Sequence, residues 1–391
     1  MKPRHLATML LFSVPSLLIP YELHAGDSNH SPELHAGDSN HSPELHAGDS
    51  NHSPCKRTAN QMFAACHADV KDDYITTLAN CSNLADSSDQ STCREEAKQT
   101  RHEEAGYCGD QLDARRNACD TLDEYRYDTD PLLDPTIAFV NPDDVDQSSA
   151  NPYVSIVAGH TYVLRAGKEG EETVVVHVTE ESREIQGVQC RVVVDAVLEV
   201  DKDEISGEID YVPVEVTDDW LAQDIEGNIY YCGEVSRNFE EGVLVDLDGS
   251  FESGREFAKA GLLMMALPEV GLAHRQEFSL GEAEDIIQYV DLAGVPGEEN
   301  EKFPCEDAGG CLMTYDFTPL GPESSEFKYY LPGVGFVLAE AMEEGELTGE
   351  TEQLICVGDS LSILEDPVCE IDNPEELLEE LCAFAPNAFC D

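Results

Sequence analysis

The sequence contains few basic residues: 22 Lys and Arg stand against 81 Asp and Glu among 391 residues, for a formal net charge of −59. A protein this acidic repels polyanions over long distances, so we expect no nucleic-acid partner. The sequence also lacks an apolar run of the ~18–20 residues that a transmembrane helix needs. Hydrophobic residues still make up 41% of the chain, which is sufficient for a folded core and excludes wholesale disorder.

The N-terminus predicts export. Lys2, Arg4 and His5 precede an apolar stretch over residues 6–20, and Ala25 offers a small residue at a plausible cleavage point. We therefore predict a signal peptide over residues 1–25 and a secreted, periplasmic or extracellular location. In such an oxidising compartment the 14 cysteines are expected to form disulfides.

Residues 22–54 consist of an eleven-residue unit, ELHAGDSNHSP, repeated three times without change. Each unit has one large apolar residue, so the repeats cannot form a core and are predicted to be a disordered linker. Six of the twelve histidines lie here. Imidazoles close in sequence can chelate transition metals, so a passive linker and a metal-binding tract both remain open.

The next six cysteines have a mirror-symmetric spacing of 11, 15, 12, 15 and 11 residues. Facing positions on two antiparallel helices have a constant index sum, so residues 55–127 are predicted to form a disulfide-stapled helical hairpin. Thr92 and Glu95 fit a capping box at the start of its second helix. The predicted disulfides are Cys55–Cys119, Cys66–Cys108 and Cys81–Cys93.

Residues 128–150 are interpreted as a linker and 151–366 as an acidic β-rich domain. Positions 190–200 alternate: every even position is apolar, whereas Asp195 and Glu199 lie on the other face, typical of a half-buried antiparallel strand. The predicted class is α+β, with the hairpin followed by a mostly antiparallel meander, as a half-barrel or sandwich.

The last cysteines lie in and after this domain. Cys305 and Cys311 frame a tight loop and are predicted to pair, whereas the partners of the others stay open. Residues 367–391 form a Cys-containing C-terminal extension. Its short helix, 375–381, is expected to pack onto the sheet.

Seven segments of the body form a recognisable set: Asn151-Pro152-Tyr153, AGHTYV at 158–163, WLAQD at 220–224, GNIYYCGE at 227–234, HRQEF at 274–278, GEAED at 281–285 and KYYLPGVG at 328–335. In these segments the chain resembles an uncharacterised family of exported bacterial proteins with a Cys-rich helical segment before an acidic β-rich domain. The resemblance implies export and a β-rich fold and implies no catalytic residue. This chain differs by its extra cysteines, including Cys369, Cys382 and Cys390.

Two groups of residues are candidate sites. Asp246, Asp248 and Glu252 resemble a fragment of a calcium-binding loop, although a general solvated acidic surface would also account for them. The catalytic candidates are a histidine and the carboxylates that follow it, which could act as a general base or share a metal. They are His274, Glu277, Glu282 and Asp285.

We interpret the chain as a secreted acidic binding or structural protein that associates with a divalent cation such as calcium. It would act at the cell surface or in the extracellular medium, with a surface, matrix or cation partner. The alternative is a secreted hydrolase with a His/carboxylate site in the β-rich domain. Whether it is an enzyme is left open, with a non-enzymatic role preferred.

Overall fold

The computed structural model describes residues 53–168, 170–202, 209–297 and 300–390. The predicted signal peptide, and the repeats up to His52, lie outside the described residues. Within the described ranges, no helix combines the length and the apolar character required to cross a membrane.

The chain begins with two long antiparallel helices, α1 (Pro54–Ser82) and α2 (Ser87–Thr121). The structure contains the three disulfides that the mirror-symmetric spacing predicts, Cys55–Cys119, Cys66–Cys108 and Cys81–Cys93. The predicted start of the second helix is wrong. It begins at Ser87, because the Asp86 side chain accepts hydrogen bonds from the N–H groups of Ser88 and Asp89, so Thr92 lies inside the helix.

Fifteen strands form one antiparallel sheet. They are β1 Thr161–Gly167, β2 Glu172–Ile185, β3 Val188–Lys202, β4 Ile209–Gln223, β5 Ile229–Glu240, β6 Val243–Asp246, β7 Phe251–Glu252, β8 Lys259–Met264, β9 Ala273–Arg275, β10 Glu277–Phe278, β11 Ile286–Gly294, β12 Cys311–Phe317, β13 Ser324–Leu331, β14 Gly335–Glu343 and β15 Glu346–Gly358. Helix α3 (Cys305–Ala308) precedes β12, and α4 (Pro374–Phe384) and α5 (Pro386–Phe389) follow the sheet. This arrangement confirms the predicted α+β class.

The sheet curls into a nearly closed, barrel-like ring. The strand order runs from β10 through β8, β5, β4, β3, β2, β1, β15, β14, β13, β12 and β11 to β9. The two ends of this path, β10 and β9, are separated in the chain only by Gln276. The N–H of Gln276 donates to the Asp285 carbonyl at 2.9 Å, and its side-chain amide donates to the Leu263 carbonyl at 3.3 Å. A single short segment therefore joins the two ends of the sheet.

This junction requires a glycine on the neighbouring strand. A Cβ at Gly261 in β8 would lie 2.2 Å from the carbonyl carbon and oxygen of Gln276. Because these are backbone atoms, no side-chain rotation relieves the overlap. Gly261 is thus the position that lets β8 approach Gln276.

We expect Gly261→Ala to destabilise the fold by about 3 kcal/mol, at the upper end of what overpacking causes. Urea unfolding of both proteins measures the effect. The control is Gly297→Ala, because a Cβ at Gly297 meets nothing within 4 Å. Equal stabilities of the two variants would contradict the close approach.

The outer face of the ring is covered by the C-terminal helices. Leu377 and Leu381 of α4 are buried in one apolar cluster with Val194 and Ala196 of β3. The short helix of the extension therefore packs onto the sheet, as expected from the sequence. The prediction of a half-buried β3 is wrong, because its opposite face is also buried and looks into the ring, where Val193 and Val197 join the main core.

Four further disulfides connect the described residues. Cys305–Cys311 is the pair that the tight loop predicts. The other three pairs are Cys190–Cys232, Cys356–Cys369 and Cys382–Cys390. The sequence alone does not determine these pairings. Cys356–Cys369 ties the end of β15 to the extension.

Candidate functional site: a buried acidic cluster

The interior of the ring contains carboxylates among its apolar residues. Side chains alternate along a strand, so Asp195 points the same way as Val193 and Val197, and Glu352 the same way as Leu354. These apolar neighbours belong to the main core, whereas the other face of β3 lies under α4. Asp195 and Glu352 therefore point into the ring and not toward solvent.

We give the name acidic cluster to ten carboxylates of the ring that are buried or repel one another. Burial raises the pKa of nine of them, and repulsion by other members of the cluster adds to the shift of six: Asp219, Glu234, Glu277, Asp285, Glu326 and Glu352. The tenth, Asp195, repels Asp219 and Glu352. The cluster comprises Glu172, Asp195, Glu215, Asp219, Glu234, Glu277, Asp285, Asp316, Glu326 and Glu352.

One lysine accompanies the cluster. Lys328 on β13 lies 2.9 Å from a carboxylate oxygen of Glu326 and 3.4 Å from one of Asp316. Burial alone would lower the pKa of Lys328, but Glu326 and Asp316 raise it well above its usual value, so the ammonium keeps its proton. A single cation leaves most of the acidic cluster without compensation.

A tyrosine links two of the acids. The Tyr231 hydroxyl lies within hydrogen-bond distance of Asp219 Oδ1 and, at 2.7 Å, of Glu234 Oε2. A phenol has one proton and can donate it to only one of them. The other carboxyl must carry its own proton or face a cation. Burial raises the pKa of both acids, that of Glu234 to about 8, and repulsion by Glu234 adds to the shift of Asp219.

The side chain of Glu352 on β15 accepts no hydrogen bond from the described residues. Its two carboxylate oxygens are both buried, and the residue is 0% exposed. Burial, followed by repulsion from Asp195 and Glu326, raises its pKa well above the usual range. A carboxyl group in this position is therefore stable only when it carries a proton or when a cation lies beside it.

Five further acids of the cluster have one buried oxygen that accepts no hydrogen bond from the part of the chain that the structure describes. These oxygens are Glu172 Oε2, Asp219 Oδ2, Glu277 Oε2, Asp316 Oδ2 and Glu326 Oε2, of which Asp316 Oδ2 lies 3.4 Å from the Lys328 ammonium. The remaining oxygen of Glu277 accepts the Asp285 N–H at 3.3 Å. With Glu352, the oxygens that accept no hydrogen bond therefore lie on six strands around the ring, β2, β4, β10, β12, β13 and β15.

The structure brings together only part of the predicted catalytic group. Glu277 and Asp285 interact within the acidic cluster, whereas Glu282 is exposed in the turn before it. His274 Nε2 lies 3.0 Å from the Tyr289 hydroxyl, and burial lowers the pKa of this imidazole to about 4. His274 is thus neutral at ordinary pH and bonded to a phenol, with no hydrogen bond to the carboxylates.

The residues of the predicted calcium loop are largely engaged with the protein itself. Asp246 Oδ1 accepts hydrogen bonds from the Asn238 side chain at 2.8 Å and from the Asp248 N–H at 3.1 Å. Glu252 lies 2.5 Å from Arg183 and 2.6 Å from Arg255. Across the described ranges, no three His, Cys, Asp or Glu side chains are arranged to hold a metal ion.

The sequence contains a signal for the acidic cluster that charge counting misses. Asp195 is flanked at positions two before and two after by Val193 and Val197, and Asp219 is followed two positions later by Leu221. An acid on the same face as apolar residues within one strand indicates an inward-facing acid. That signal requires knowing that both faces of the sheet are covered.

Comparisons with known proteins establish little about this chain. No protein-family model matches the sequence, and no curated protein matches it. Two solved structures are similar over about half of the chain: a candidate exported protein of Bacteroides fragilis with a YmcC-like fold, and a candidate lipoprotein of Parabacteroides distasonis. The first has 13% identity, covers 53% of this chain and 97% of its own, and has a TM-score of 0.25. The second has 12% identity, covers 54% and 99%, and has a TM-score of 0.26. Similarity at this level establishes neither the family nor the function of this chain.

Proposed function

We propose that this chain is an exported binding protein that takes a cation into the acidic cluster inside its β-rich ring. The observation that carries the proposal is Glu352, a fully buried carboxylate with both oxygens unpartnered among the described residues. Burying an ion without a counter-charge costs several kcal/mol. A bound cation would offset this cost for Glu352 and for the neighbouring acids together.

Export is supported by the cysteines. The fourteen cysteines form seven disulfides in the structure, and none is free. Structural disulfides in such number persist in oxidising compartments. Labelling of free thiols in protein isolated from its native host tests this part of the proposal, because a reactive thiol population would place the protein in a reducing compartment.

Calcium is the first cation to test, since carboxylate oxygens are its preferred ligands. No described group of acids is already arranged as a metal site, so binding requires the inward-facing side chains to converge. A linear diamine would instead pair its two ammonium groups with separate carboxylates. Calorimetry with each ligand on chelator-treated protein at about pH 7.5 separates the two chemistries.

We expect Glu352→Gln to weaken cation binding at least ~10-fold, because the amide has no charge to offer. The control is Asp246→Asn, which alters the surface loop that the sequence favours; its one effect on the acidic cluster is the removal of a small repulsion of Glu215. No heat and no change in melting temperature with either ligand would remove the proposed function. Loss of calcium binding in Asp246→Asn alone would move the site to the surface loop.

The alternative is a hydrolase, and one observation favours it. Glu277 and Asp285 form a carboxylate pair in which burial raises both pKa values, that of Asp285 to about 6, and repulsion by Asp285 adds to the shift of Glu277. Pairs of this kind serve as general acid and base. Activity on an ester, glycoside or peptide panel that is lost in Glu277→Gln would replace the binding function by catalysis.

A further inference from the structure

The segment that closes the ring is its weakest part. Strand β9 has three residues and β10 has two, whereas β3 and β4 have 15 each. Short strands form few ladder hydrogen bonds, and regions with few such bonds open at the lowest free energy. We call residues 273–285 the closing segment.

The closing segment borders the acidic cluster directly. Glu277 belongs to β10, and Asp285 is the last residue of the segment. The backbone N–H of Asp285 donates to the Glu277 side chain, which holds the two ends of the turn together. Opening this segment would therefore expose two of the ten carboxylates first.

The helical hairpin holds the closing segment from outside. Arg115 on α2 donates through Nε to both carboxylate oxygens of Glu284, at 3.1 and 3.0 Å, and through Nη2 at 2.7 Å. The side chains of Arg115 and Glu284 are 6% and 2% exposed. Glu284 also accepts the Gly281 N–H at 2.9 Å, and Arg275 donates to Glu124, just after α2, at 2.8 Å.

Contact between the hairpin and the ring is mainly polar. The three apolar core clusters of the described residues contain no residue of α1 or α2. Tyr107 and Gln111 instead donate to the Leu320 carbonyl at 2.7 and 3.0 Å. Polar interfaces between units of one chain separate more readily than apolar ones, so the hairpin can leave this surface without unfolding the ring.

We infer that the closing segment is the portal through which a cation reaches the acidic cluster, and that the hairpin holds this portal shut through the Arg115–Glu284 ion pair. The inference rests on the proposed function for the identity of the ligand. The hairpin is then a clasp on the binding site, and a partner that draws the hairpin away would speed uptake and release of the ligand together.

Hydrogen exchange of the full chain tests the clasp without any ligand. In Arg115→Met, amides of residues 273–285 should exchange at least ~10-fold faster, while β13 and β14 stay unchanged, because removing one partner of a buried pair loosens its surroundings. Arg116→Met is the matched control, since Arg116 bonds to Asn60 on the other helix. Arg115→Met with Glu284→Gln avoids an uncompensated buried charge should the single variant fold poorly.

Stopped-flow mixing with calcium tests the portal. Association and dissociation should both become faster in the Arg115 variants, with Kd changed less than ~3-fold. Unchanged exchange of residues 273–285 in both Arg115 variants overturns the clasp. Faster exchange with unchanged calcium rates overturns the portal. Absence of binding of both calcium and the linear diamine in every protein removes the proposed function, while faster exchange would still support the clasp.

Discussion

The melting temperature of the metal-stripped protein is expected to fall by about 10 °C or more between pH 5 and pH 8.5. Burial raises the pKa of Glu172, Glu215 and Glu326 to about 7, and that of Glu234 to about 8. These acids keep their protons in the folded chain at a pH where the unfolded chain has released them. The folded state therefore binds more protons than the unfolded state between about pH 4.5 and pH 8.

The sign follows from linkage: stability decreases with pH wherever the folded state binds more protons. The contribution of each acid is fully favourable below its unfolded pKa and is lost as pH rises to the folded pKa. A shift from 4.5 to about 7 corresponds to about 3 kcal/mol for one group. Coupled groups do not add, but a total loss of about 5 kcal/mol is a large part of the ~5–15 kcal/mol that stabilises a domain.

Calorimetric melting scans across this pH range in the presence of a chelator measure the effect. Glu172→Gln should reduce the fall with pH, because one titrating acid is removed, whereas Glu346→Gln, at an exposed position on β15, should leave it unchanged. A melting temperature that is flat or rises toward pH 8.5 would show that the acidic cluster is ionised or hydrated in the folded protein, contrary to the burial described above.

Protons and cations compete for the same carboxylates, so the pH effect and the proposed function are coupled. Cation binding must release the protons that the cluster holds near pH 7. Calcium should therefore raise the melting temperature most at high pH and least near pH 5, where the acids are already neutral. A chain that loses stability as its acids ionise gains the most from a ligand that neutralises them.

The helical hairpin is predictable from sequence because its stabilising contacts follow a simple spacing rule. Cysteines at matched heights on two helices report the register directly, and the pairs Cys55–Cys119 and Cys81–Cys93 follow from the symmetry. The start of α2 is missed because two capping signals compete, and Asp86 next to the turn prevails over Thr92. The cysteine spacing therefore predicts the two helices, whereas the residues next to the turn determine where α2 begins.

The acidic cluster is not predictable in the same way. Asp195 looks like a solvent-facing residue when one face of β3 is assumed to be exposed, and it becomes buried only because the sheet closes on itself. Closure depends on Gln276, which joins the first and last strands of the path, and on Gly261 of the neighbouring strand β8, which makes room for it. Such long-range contacts leave no periodic pattern in the sequence.

Replacing the six hairpin cysteines by alanine is expected to abolish the helical hairpin while leaving the β-rich ring folded. The buried apolar side chains of α1 and α2 are only Cys55, Ala59, Val70, Cys81, Ala97, Cys108, Ala118 and Cys119. With so little apolar contact, the disulfides replace a core. The outermost pair closes a loop with a sequence separation of 64 residues, which corresponds to about 4 kcal/mol in the chain-entropy description.

Most of the stability of helices in proteins comes from tertiary packing, so the helices of 29 and 35 residues should lose most of their ellipticity at 222 nm once the crosslinks are removed. The near-ultraviolet spectrum, which reports Trp220 and the ring tyrosines, should remain. Removing Cys382–Cys390, a short loop in the extension, is the control and should leave the hairpin signal intact. Because Arg115 lies on α2, loss of the hairpin should also speed hydrogen exchange of residues 273–285, as in Arg115→Met. Full helicity in the six-alanine variant would mean that polar contacts with the ring, and not the crosslinks, hold the two helices together.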